Sequence, residues 1–444
     1  MKPVRPLPAL LAQFSAFLLS ATLLSATLLP TALLTACRAG PASAGAELDN
    51  VPELTLEEVF RVGSVDDPEA GFSSPGSMAV DPVGNLYVFE NQDLEIRVLD
   101  PTGARVATFG RRGQGPGEFG SRGRLGIVGD TLWVIESGGF SRGRISFFSL
   151  AGEHLTTRSL SGSVSVAMGN GFTGSLQPYR WRRDGSLEGE ITIFMRDMAA
   201  GNGPEGPPPG SMVRVPRVRF DLDGNVIDTI GFDPRPALEA PGDRPTTQAE
   251  GRTFNTPRPP ADDPRGYALE DGRVTITGSA PTSVAAAEIA FTRTGLTGDT
   301  LHHRTYSYTP EGYTEAYLDS LAWRSAVQGS GMVRIVDGAV QRDPPLDDPA
   351  PVARVLRSTM DFPAYAPPVR SVVGGADGSA WIRWTDDGRL RDRWIVLGPE
   401  GDPRGRFTLP RNATISWASG DAFVVVERDE LDVPWVVRYR LRPE

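Results

Sequence analysis

Short runs of apolar or alternating residues, separated by turn residues, recur along most of the chain. The first complete set has four runs, at residues 76–80, 86–89, 96–99 and 106–109, and its first turn is Asp81-Pro82-Val83-Gly84-Asn85. Runs of this length bounded by Gly, Pro, Asn and Asp are typical of β-strands. The set therefore predicts one sheet of consecutive strands joined by tight turns.

The same set returns along the chain, and its copies predict the fold. Further units cover residues 125–160, 164–230, 267–308, 369–409 and 414–441. The last unit has only three strands, whereas Leu54–Val62 has strand composition and stands alone ahead of the first unit. In a closed ring, a lone first strand completes the last sheet and leaves no free edge. The sequence thus predicts an all-β, six-bladed β-propeller closed by its N-terminal strand.

Three kinds of connection interrupt the predicted blades. The stretch from Phe109 to Phe119 holds four glycines and a proline, which excludes a helix and predicts a tight connector. Long Gly- and Pro-rich loops are expected at 199–210 and 232–264. Thr309-Pro310-Glu311 has the order of a helix start, followed by aromatic and apolar residues at helical spacing. One inserted helix, from residue 310 to about 327, is therefore predicted to pack on the propeller.

The composition fits many short strands and narrows the choice of partners. The 444 residues include 50 Gly and 39 Pro, which favour strands and turns, and the hydrophobic fraction of 39% suffices for a core. The formal net charge is −10, and Lys2 is the only lysine, so the remaining cations are arginines. An acidic chain with scattered arginines is not typical of nucleic-acid binding, and we expect no nucleic-acid partner.

The N-terminus has the features of a targeting segment. Lys2 and Arg5 precede an uncharged stretch that ends in Leu34-Thr35-Ala36-Cys37, which resembles a bacterial lipobox. The resemblance implies cleavage before Cys37 and a lipid on its sulfur. Residues 1–36 are then a lipoprotein signal peptide, 37–53 a flexible tether and 54–444 the propeller. An uncleaved membrane anchor and an incidental thiol are the alternatives, and all three readings place the folded part outside the cytoplasm.

Within the first unit, the residues from Ser74 to Val88, from Ile96 to Gly103 and from Phe109 to Phe119 resemble the NHL repeat. The chain looks most like the bacterial six-bladed propeller lipoproteins that carry this repeat. The match is strong over 54–160, fair over 369–441 and weak between them. Binding proteins, lyases and lactonases all use this architecture, so the resemblance implies a fold and a location in the cell envelope but no particular reaction.

Few residues of the predicted domain suit catalysis. With Cys37 lipidated, no thiol remains, and His302 and His303, adjacent on one strand, point to opposite faces and cannot share a site with each other. We expect His154 and both of these to be exposed strand or loop residues. The acidic residues of the Asp-Gly turns are expected to bond their own backbone rather than calcium. These residues are Asp130, Asp184, Asp223, Asp271, Asp377 and Asp387.

Three arginines form the one pattern that points to a ligand. Arg124, Arg265 and Arg370 each stand near the predicted start of an innermost strand, and such starts converge on the mouth of a propeller channel. They are a candidate cationic rim for a carboxylate or a sugar acid. The alternative is that arginine recurs there only because it is the chain's general cation.

Two functions remain open from the sequence. The first is a monomeric binding or scaffold module, anchored to the membrane by lipid, that contacts a protein, peptide or glycan. The alternative is a lyase or lactone hydrolase that uses acidic residues and a divalent cation, such as calcium, in the channel. No cofactor is strongly implied, and the binding module is the favoured prediction.

Overall fold

Six antiparallel sheets of four or five strands follow one another along the chain in the computed structural model. It describes residues 48–444 except 65–70, 137–142, 161–165, 168–172, 195–211, 237–244, 260–264, 330–332, 337–338, 343–344 and 385–390. The first strand, β1 (Leu54–Val62), belongs to the last sheet, and each other sheet is built from consecutive strands, which is the order of a propeller. The six-bladed prediction is confirmed.

Blades 1 to 3 take up the first half of the described chain. Blade 1 contains β2 (Pro75–Val80), β3 (Leu86–Glu90), β4 (Glu95–Leu99) and β5 (Arg105–Phe109). Blade 2 contains β6 (Gly123–Val128), β7 (Thr131–Glu136), β8 (Arg144–Ser149) and β9 (His154–Ser159). Blade 3 contains β10 (Val166–Ala167), β11 (Thr173–Trp181), β12 (Leu187–Phe194), β13 (Met212–Phe220) and β14 (Val226–Pro236).

The second half holds blades 4 to 6 and two insertions. A hairpin of β15 (Thr246–Ala249) and β16 (Arg252–Asn255) precedes blade 4, which contains β17 (Arg265–Leu269), β18 (Gly272–Thr277), β19 (Glu288–Thr294) and β20 (Thr300–Ser307). Helix α1 (Glu315–Gly329), the hairpin of β21 (Val333–Val336) and β22 (Ala339–Arg342), and helix α2 (Ala350–Thr359) follow. Blade 5 contains β23 (Val369–Gly374), β24 (Ala380–Trp384), β25 (Arg391–Leu397) and β26 (Pro403–Pro410). Blade 6 contains β27 (Thr414–Ser419), β28 (Ala422–Arg428) and β29 (Pro434–Pro443). Short 3-10 turns lie at Leu48–Asn50 and Val284–Ala286.

The ring is closed as the sequence predicted. Strand β1 pairs antiparallel with β29, so that Leu56 lies opposite Leu441 and Arg61 opposite Val437. Around the axis, the inner strands β2 and β6, β6 and β11, β17 and β23, β23 and β27, and β27 and β2 contact one another. Both ends of the chain's folded part therefore stabilise the same blade.

Apolar clusters join most neighbouring blades. Phe119 lies in the cluster between blades 1 and 2, Phe220 between 2 and 3, Phe291 between 4 and 5, Phe407 between 5 and 6, and Leu86 between 6 and 1. Each of these side chains is at most 3% exposed. Among the residues that the structure describes, the joint between blades 3 and 4 has no such cluster.

The predicted connector between blades 1 and 2 is a tight, internally bonded loop. The Gly113 N–H donates to the Phe119 carbonyl at 2.9 Å, and the Phe119 N–H to the Arg111 carbonyl at 2.8 Å. Gly110 has φ +79°, and a Cβ there would lie 2.3 Å from the Phe119 ring, so only glycine fits. The buried Phe119 ring packs edge-on against Phe89, with centroids 5.1 Å apart.

The two insertions fold together into a small unit, which we call the cap: β15–β16, α1 and α2. Its own apolar cluster includes Phe254 of the hairpin, Ala322 and Ala326 of α1, and Val352 and Leu356 of α2. The sequence predicted one helix where the cap has two. Neither helix of the described chain is long and apolar enough to cross a membrane.

Helix α1 begins later than predicted. Thr314, not Thr309, is its N-cap, because the Thr314 hydroxyl accepts the Tyr317 N–H at 3.2 Å. The expected start is held extended by tertiary contacts: the Thr309 N–H donates to Asp49 at 2.8 Å, and Glu311 forms an ion pair with Arg393. Local sequence preference is overridden there by packing on the blades.

The packed chain extends back to Leu48, ahead of the boundary predicted at Leu54. Leu48 and Val51 are 2% and 7% exposed, within the cluster between blades 4 and 5. The Arg406 guanidinium donates to the Asp49 carbonyl at 2.9 Å and pairs with Glu53 at 2.6 Å. The last residues of the predicted tether are thus part of the propeller. The predicted signal peptide, Cys37 and the rest of the tether lie outside the described residues.

Candidate functional site

The strands of blade 3 carry apolar residues on one face and polar residues on the other. In β12, Leu187 and Ile191 belong to the cluster shared with blade 2, whereas Glu188 points the opposite way, toward blade 4. In β13, Val218 shares the face of Leu187, and Arg217 alternates with it. Alternation with period two therefore gives blade 3 a charged face toward blade 4.

Blade 4 also has one apolar and one polar face. Val274, Ile276 and Phe291 point toward blade 5 and belong to the cluster there. The alternating residues Arg273 and Thr275 face blade 3 and are only partly buried. Two polar faces thus meet at this joint, where the other joints have apolar packing.

Charged side chains fill the joint between blades 3 and 4. The Asp233 carboxylate lies 3.2 Å from Arg217 and 2.7 Å from Arg273, one arginine on each oxygen. The Tyr179 hydroxyl donates to Glu188 at 2.9 Å, and Glu188 also lies 3.8 Å from Arg217. We call these five residues the polar seam: Tyr179, Glu188, Arg217, Asp233 and Arg273.

Burial and neighbouring charge set the ionisation of the seam. Burial raises the pKa of Tyr179, and the negative charge of Glu188 raises it further, so the phenol stays protonated and can donate. Burial lowers the pKa of Arg273, and the positive charge of Arg217 acts in the same direction. The two guanidinium groups are thus close enough to repel one another.

Two buried donors of the seam region make no hydrogen bond to a described residue. They are Nε of Arg273 and Nη1 of Arg182, and the Glu188 carboxylate lies 3.8 Å from the Arg182 atom. Glycines make room for two of the side chains: a Cβ at Gly231 would lie 2.5 Å from Arg217, and one at Gly266 2.2 Å from Arg273. The seam therefore offers more N–H groups than its own carboxylates accept.

The seam lies at one end of the blades and the cap at the other. Arg182 follows the last residue of inner strand β11, and Arg273 stands just after the turn that ends inner strand β17. The cap, in contrast, is built from connections that lead into the starts of the inner strands β17 and β23. Further polar contacts cross the joint at the seam end: Arg180 donates to the Ala268 carbonyl at 2.8 Å, and Arg183 pairs with Glu270 at 3.3 Å.

The three arginines of the predicted rim all stand at the starts of inner strands. Arg124 is the second residue of β6 and is exposed, Arg265 is the first of β17, and Arg370 is the second of β23. Arg370 donates to the Tyr317 hydroxyl at 2.9 Å, which ties the cap to blade 5. That they bind an anionic ligand together stays a prediction.

Of the five predicted acidic turn residues that the structure describes, two accept backbone N–H groups as expected and three do not. Asp184 accepts the backbone N–H of Ser186, and Asp377 that of Ser379, at 3.0 and 3.3 Å. Asp271 instead pairs with Arg293 at 2.5 Å. In the Asp221–Asn225 turn it is Asp221, not Asp223, that accepts the backbone N–H groups. Asp130 accepts the Thr131 hydroxyl at 3.4 Å, and Asp387 lies outside the described residues.

His303 is exposed as predicted, whereas His154 and His302 are half-buried. His154 Nε2 lies 2.8 Å from the Thr157 hydroxyl, and His303 Nδ1 lies 3.0 Å from the Thr292 hydroxyl on blade 4. His302 and His303 stand opposite Arg293 and Thr292 in the ladder and so lie on different faces of the blade. The described residues contain no group of three or more His, Cys, Asp or Glu that could hold a metal ion.

The sequence reasoning did not identify the polar seam, although its signal is present. The alternation of charged with apolar residues in β12 and β13, and of threonine and arginine with apolar residues in β18, marks blades with one polar face. In a propeller both faces of an internal blade meet neighbours, so such alternation predicts a polar joint.

No protein-family model and no curated protein matches the chain. Among solved structures, a member of the DUF4221 family from Bacteroides vulgatus is 11% identical, with a TM-score of 0.45, and the match covers 88% of this chain and 99% of that one. A virginiamycin B lyase from Staphylococcus aureus is 13% identical over 88% and 100% of the two chains, with a TM-score of 0.34. A calcium-binding protein, regucalcin, from Agrobacterium tumefaciens is 11% identical over 89% and 97%, with a TM-score of 0.31. These similarities are too distant to assign a function.

Proposed function

We propose that this protein is a lipid-anchored, extracytoplasmic binding module of the NHL-like propeller type, which takes a polar ligand at the seam between blades 3 and 4. The lipobox ending in Cys37, the chain's only cysteine, supports the anchor. The resemblance of blade 1 to the NHL repeat supports the type. A peptide, protein or glycan is the class of ligand.

The observation that carries the binding site is the polar seam itself. Charged groups buried in a joint cost desolvation energy that apolar packing does not cost. The five other joints of the ring have apolar clusters. The charged groups between blades 3 and 4 therefore add no stability that apolar side chains would not also provide. Buried donors without acceptors are expected where a ligand supplies the missing partners. We therefore assign the seam to recognition rather than to folding.

Binding is tested with the full chain, solubilised in detergent, on arrays of immobilised glycans and peptides. We expect the protein to retain one ligand class, and Glu188→Gln to reduce that retention. Glu153→Gln, at an exposed position of blade 2, is the matched control and should bind like the wild type. A folded wild-type protein that retains nothing on either array would overturn the proposal.

The anchor is tested separately, by Cys37→Ser in a bacterial host fed an alkyne-labelled fatty acid. The wild-type chain should take up label and sediment with membranes, and the variant should lose the label. Label that persists in Cys37→Ser would contradict lipid attachment at this residue.

The described residues give the cation-dependent lyase or lactone hydrolase no ligand set. A bound ion would stabilise the fold by mass action. We expect calcium to leave the melting temperature of the full chain unchanged, and a rise with calcium concentration would favour the enzyme instead.

A further inference from the structure

We propose that the cap rests on the surface of the phospholipid bilayer that holds the lipid anchor, with Trp323 and Val327 of α1 entering the boundary between headgroups and acyl chains. This inference rests on the lipid-anchored function proposed above and names a second contact of the chain with the same membrane.

Two exposed apolar residues of α1 point to a partner. The chain has eight tryptophans, all within the described residues, and Trp323 alone among them is exposed, at 46%. Val327 follows one helical turn later on the same side of α1 and is 45% exposed. Their neighbours Ala322 and Ala326 are buried in the apolar cluster of the cap. We call Trp323 and Val327 the apolar strip.

The apolar strip points away from the blades. Tyr317 marks the side of α1 nearest the blades, because its hydroxyl accepts a hydrogen bond from Arg370 of blade 5. At 3.6 residues per turn, Trp323 lies about 120° around the helix from Tyr317. The strip is therefore open to a surface outside the propeller.

The packed chain begins at the same end of the blades as the cap. Leu48 belongs to the apolar cluster that includes Val369, the first residue of inner strand β23, and Trp384, the last residue of β24. The Thr309 N–H, in the connection from blade 4 to α1, donates to Asp49 at 2.8 Å. The link to the anchor thus joins the propeller at the cap end.

That link is short. Ten residues, 38 to 47, lie between Cys37 and Leu48. Even fully extended, they keep Leu48 within about 40 Å of the lipid-bearing sulfur. A tether of this length gives the cap a high effective concentration at the bilayer, so that a contact too weak to form from solution can hold. One tryptophan and one valine are then enough.

The chemistry of the cap fits a membrane surface. A tryptophan ring combines an apolar body with an N–H donor, and tryptophans are enriched where acyl chains meet headgroups. Helices α1 and α2 carry two acids and three arginines, and Asp347 and Asp348 precede α2. Because these charges nearly balance, apolar insertion rather than attraction to anionic lipid drives the contact. The polar seam, at the other end of the blades, stays accessible.

The test uses the full lipidated chain in phosphatidylcholine vesicles, with and without brominated acyl chains. Bromine quenches the emission of tryptophans that reach the acyl region. We expect brominated lipid to lower the emission of the wild type and not that of Trp323→Phe. Equal losses in the two proteins, or no loss in either, would overturn the inference.

A matched control moves the tryptophan to the seam end. Val83 is 75% exposed in the turn between β2 and β3, so Val83→Trp in the Trp323→Phe protein should fold, checked by its melting temperature. Its emission should not fall with brominated lipid. Quenching of this protein but not of the wild type would show that the seam end faces the bilayer and would contradict the inference.

A second measurement is independent of emission. On vesicles, the α1 amides of the wild type should exchange hydrogen several-fold more slowly than those of the unanchored Cys37→Ser chain in solution. With Trp323→Ser and Val327→Ser together, anchoring should leave the exchange unchanged, because the apolar strip is removed. Equal slowing with and without the strip would count against the contact.

The outcomes separate this inference from the function on which it rests. If Cys37 takes up the fatty-acid label but quenching and slowed exchange are both absent, the cap contact is wrong and the anchored binding module stands. If Cys37 takes up no label, the anchor and the cap contact both fall. A dimer of the Cys37→Ser chain that Trp323→Ser with Val327→Ser dissociates, seen by sedimentation, would assign the strip to a second copy instead.

Discussion

At the residue scale, one buried carboxylate recurs at the same place in the first two blades. Glu90 ends β3 and accepts the N–H groups of Ser73 and Ser74 at 3.1 and 2.7 Å. Glu136 ends β7 and accepts those of Gly120 and Ser121 at 2.6 and 3.0 Å. Each carboxylate thus binds the backbone just before the inner strand of its blade, which gives the sequence repeat a physical cause.

Removing the charge of Glu136 should destabilise the propeller. Its side chain is 4% exposed and also pairs with the half-buried Arg144, so Glu136→Gln leaves that arginine without its anion. We expect a loss of about 3 kcal/mol in the free energy of unfolding, measured by denaturant titration. The exposed control Glu153→Gln should change it by less than about 0.5 kcal/mol. Equal stability of the two variants would show that the carboxylate is dispensable.

Asp377 should make stability depend on acid. Burial alone would raise the pKa of Asp377, but hydrogen bonds from Ser379 and the charge of Arg404 outweigh it and hold the pKa below 3.8. A lowered pKa in the folded state stabilises the fold above the ordinary value of 3.8, and this contribution disappears as the pH falls through the folded value.

The expected result is a steeper loss of stability between about pH 5 and pH 3 in the wild type than in Asp377→Asn. Unfolding curves at several pH values give the slopes. Asp130→Asn, at an exposed turn of blade 2, should keep the wild-type slope. Parallel slopes for the wild type and Asp377→Asn would count against the assignment.

At the element scale, the strands were predictable because their signals are local. Alternation and Asp-Gly turns specify β2 to β9 and β23 to β29 within a few residues of their observed bounds. Helix α2 was missed because prolines around its start, Pro349 and Pro351, resemble loop sequence, although proline is favoured in a first helical turn. The start of α1 was misplaced because tertiary contacts hold Thr309 to Gly312 extended, which no local rule reports.

The two threonines before α1 give a direct test of its start. Thr314→Ala removes the N-cap hydroxyl and should cost about 1 kcal/mol in the stability of α1. Thr309→Ala keeps the backbone N–H that binds Asp49 and should cost little. Hydrogen exchange of the α1 amides distinguishes them: faster exchange is expected only in Thr314→Ala. Faster exchange only in Thr309→Ala would restore the earlier helix start.

At the scale of the whole molecule, the sequence alone predicts the closure of the ring, but it predicts the polar seam only as blades with one polar face, not as a set of contacts. The three strands of the last unit and the lone Leu54–Val62 leave one pairing that fills the ring, and β1 makes it with β29. The seam joins residues far apart in sequence, such as Asp233 and Arg273. Which polar face meets which is decided by the curvature of the ring, and a single strand's pattern does not report it.

The closing strand should carry a large share of the stability. Phe60 is 7% exposed and packs with Leu86 and Val424 between blades 6 and 1, so Phe60→Ala should cost about 3 kcal/mol or more. Its neighbour Val59 is 41% exposed, and Val59→Ala should cost less than about 1 kcal/mol. Denaturant unfolding of both variants makes the comparison, and similar losses would contradict a buried role for the closing strand.

The position of the polar seam relative to the closing strand has a consequence for redesign. Blades 1 to 3 and blades 4 to 6 are each joined internally by apolar clusters, and the closure at blade 6 lies three blades from the seam. A circularly permuted gene could open the chain in the connection between blades 3 and 4 and join Glu444 to Leu48, the two ends of the described propeller, because exposed connections tolerate new ends. In the permutant the blades would follow in the order 4, 5, 6, 1, 2, 3, with an apolar cluster between each consecutive pair. The polar seam would then lie between its first and last blades.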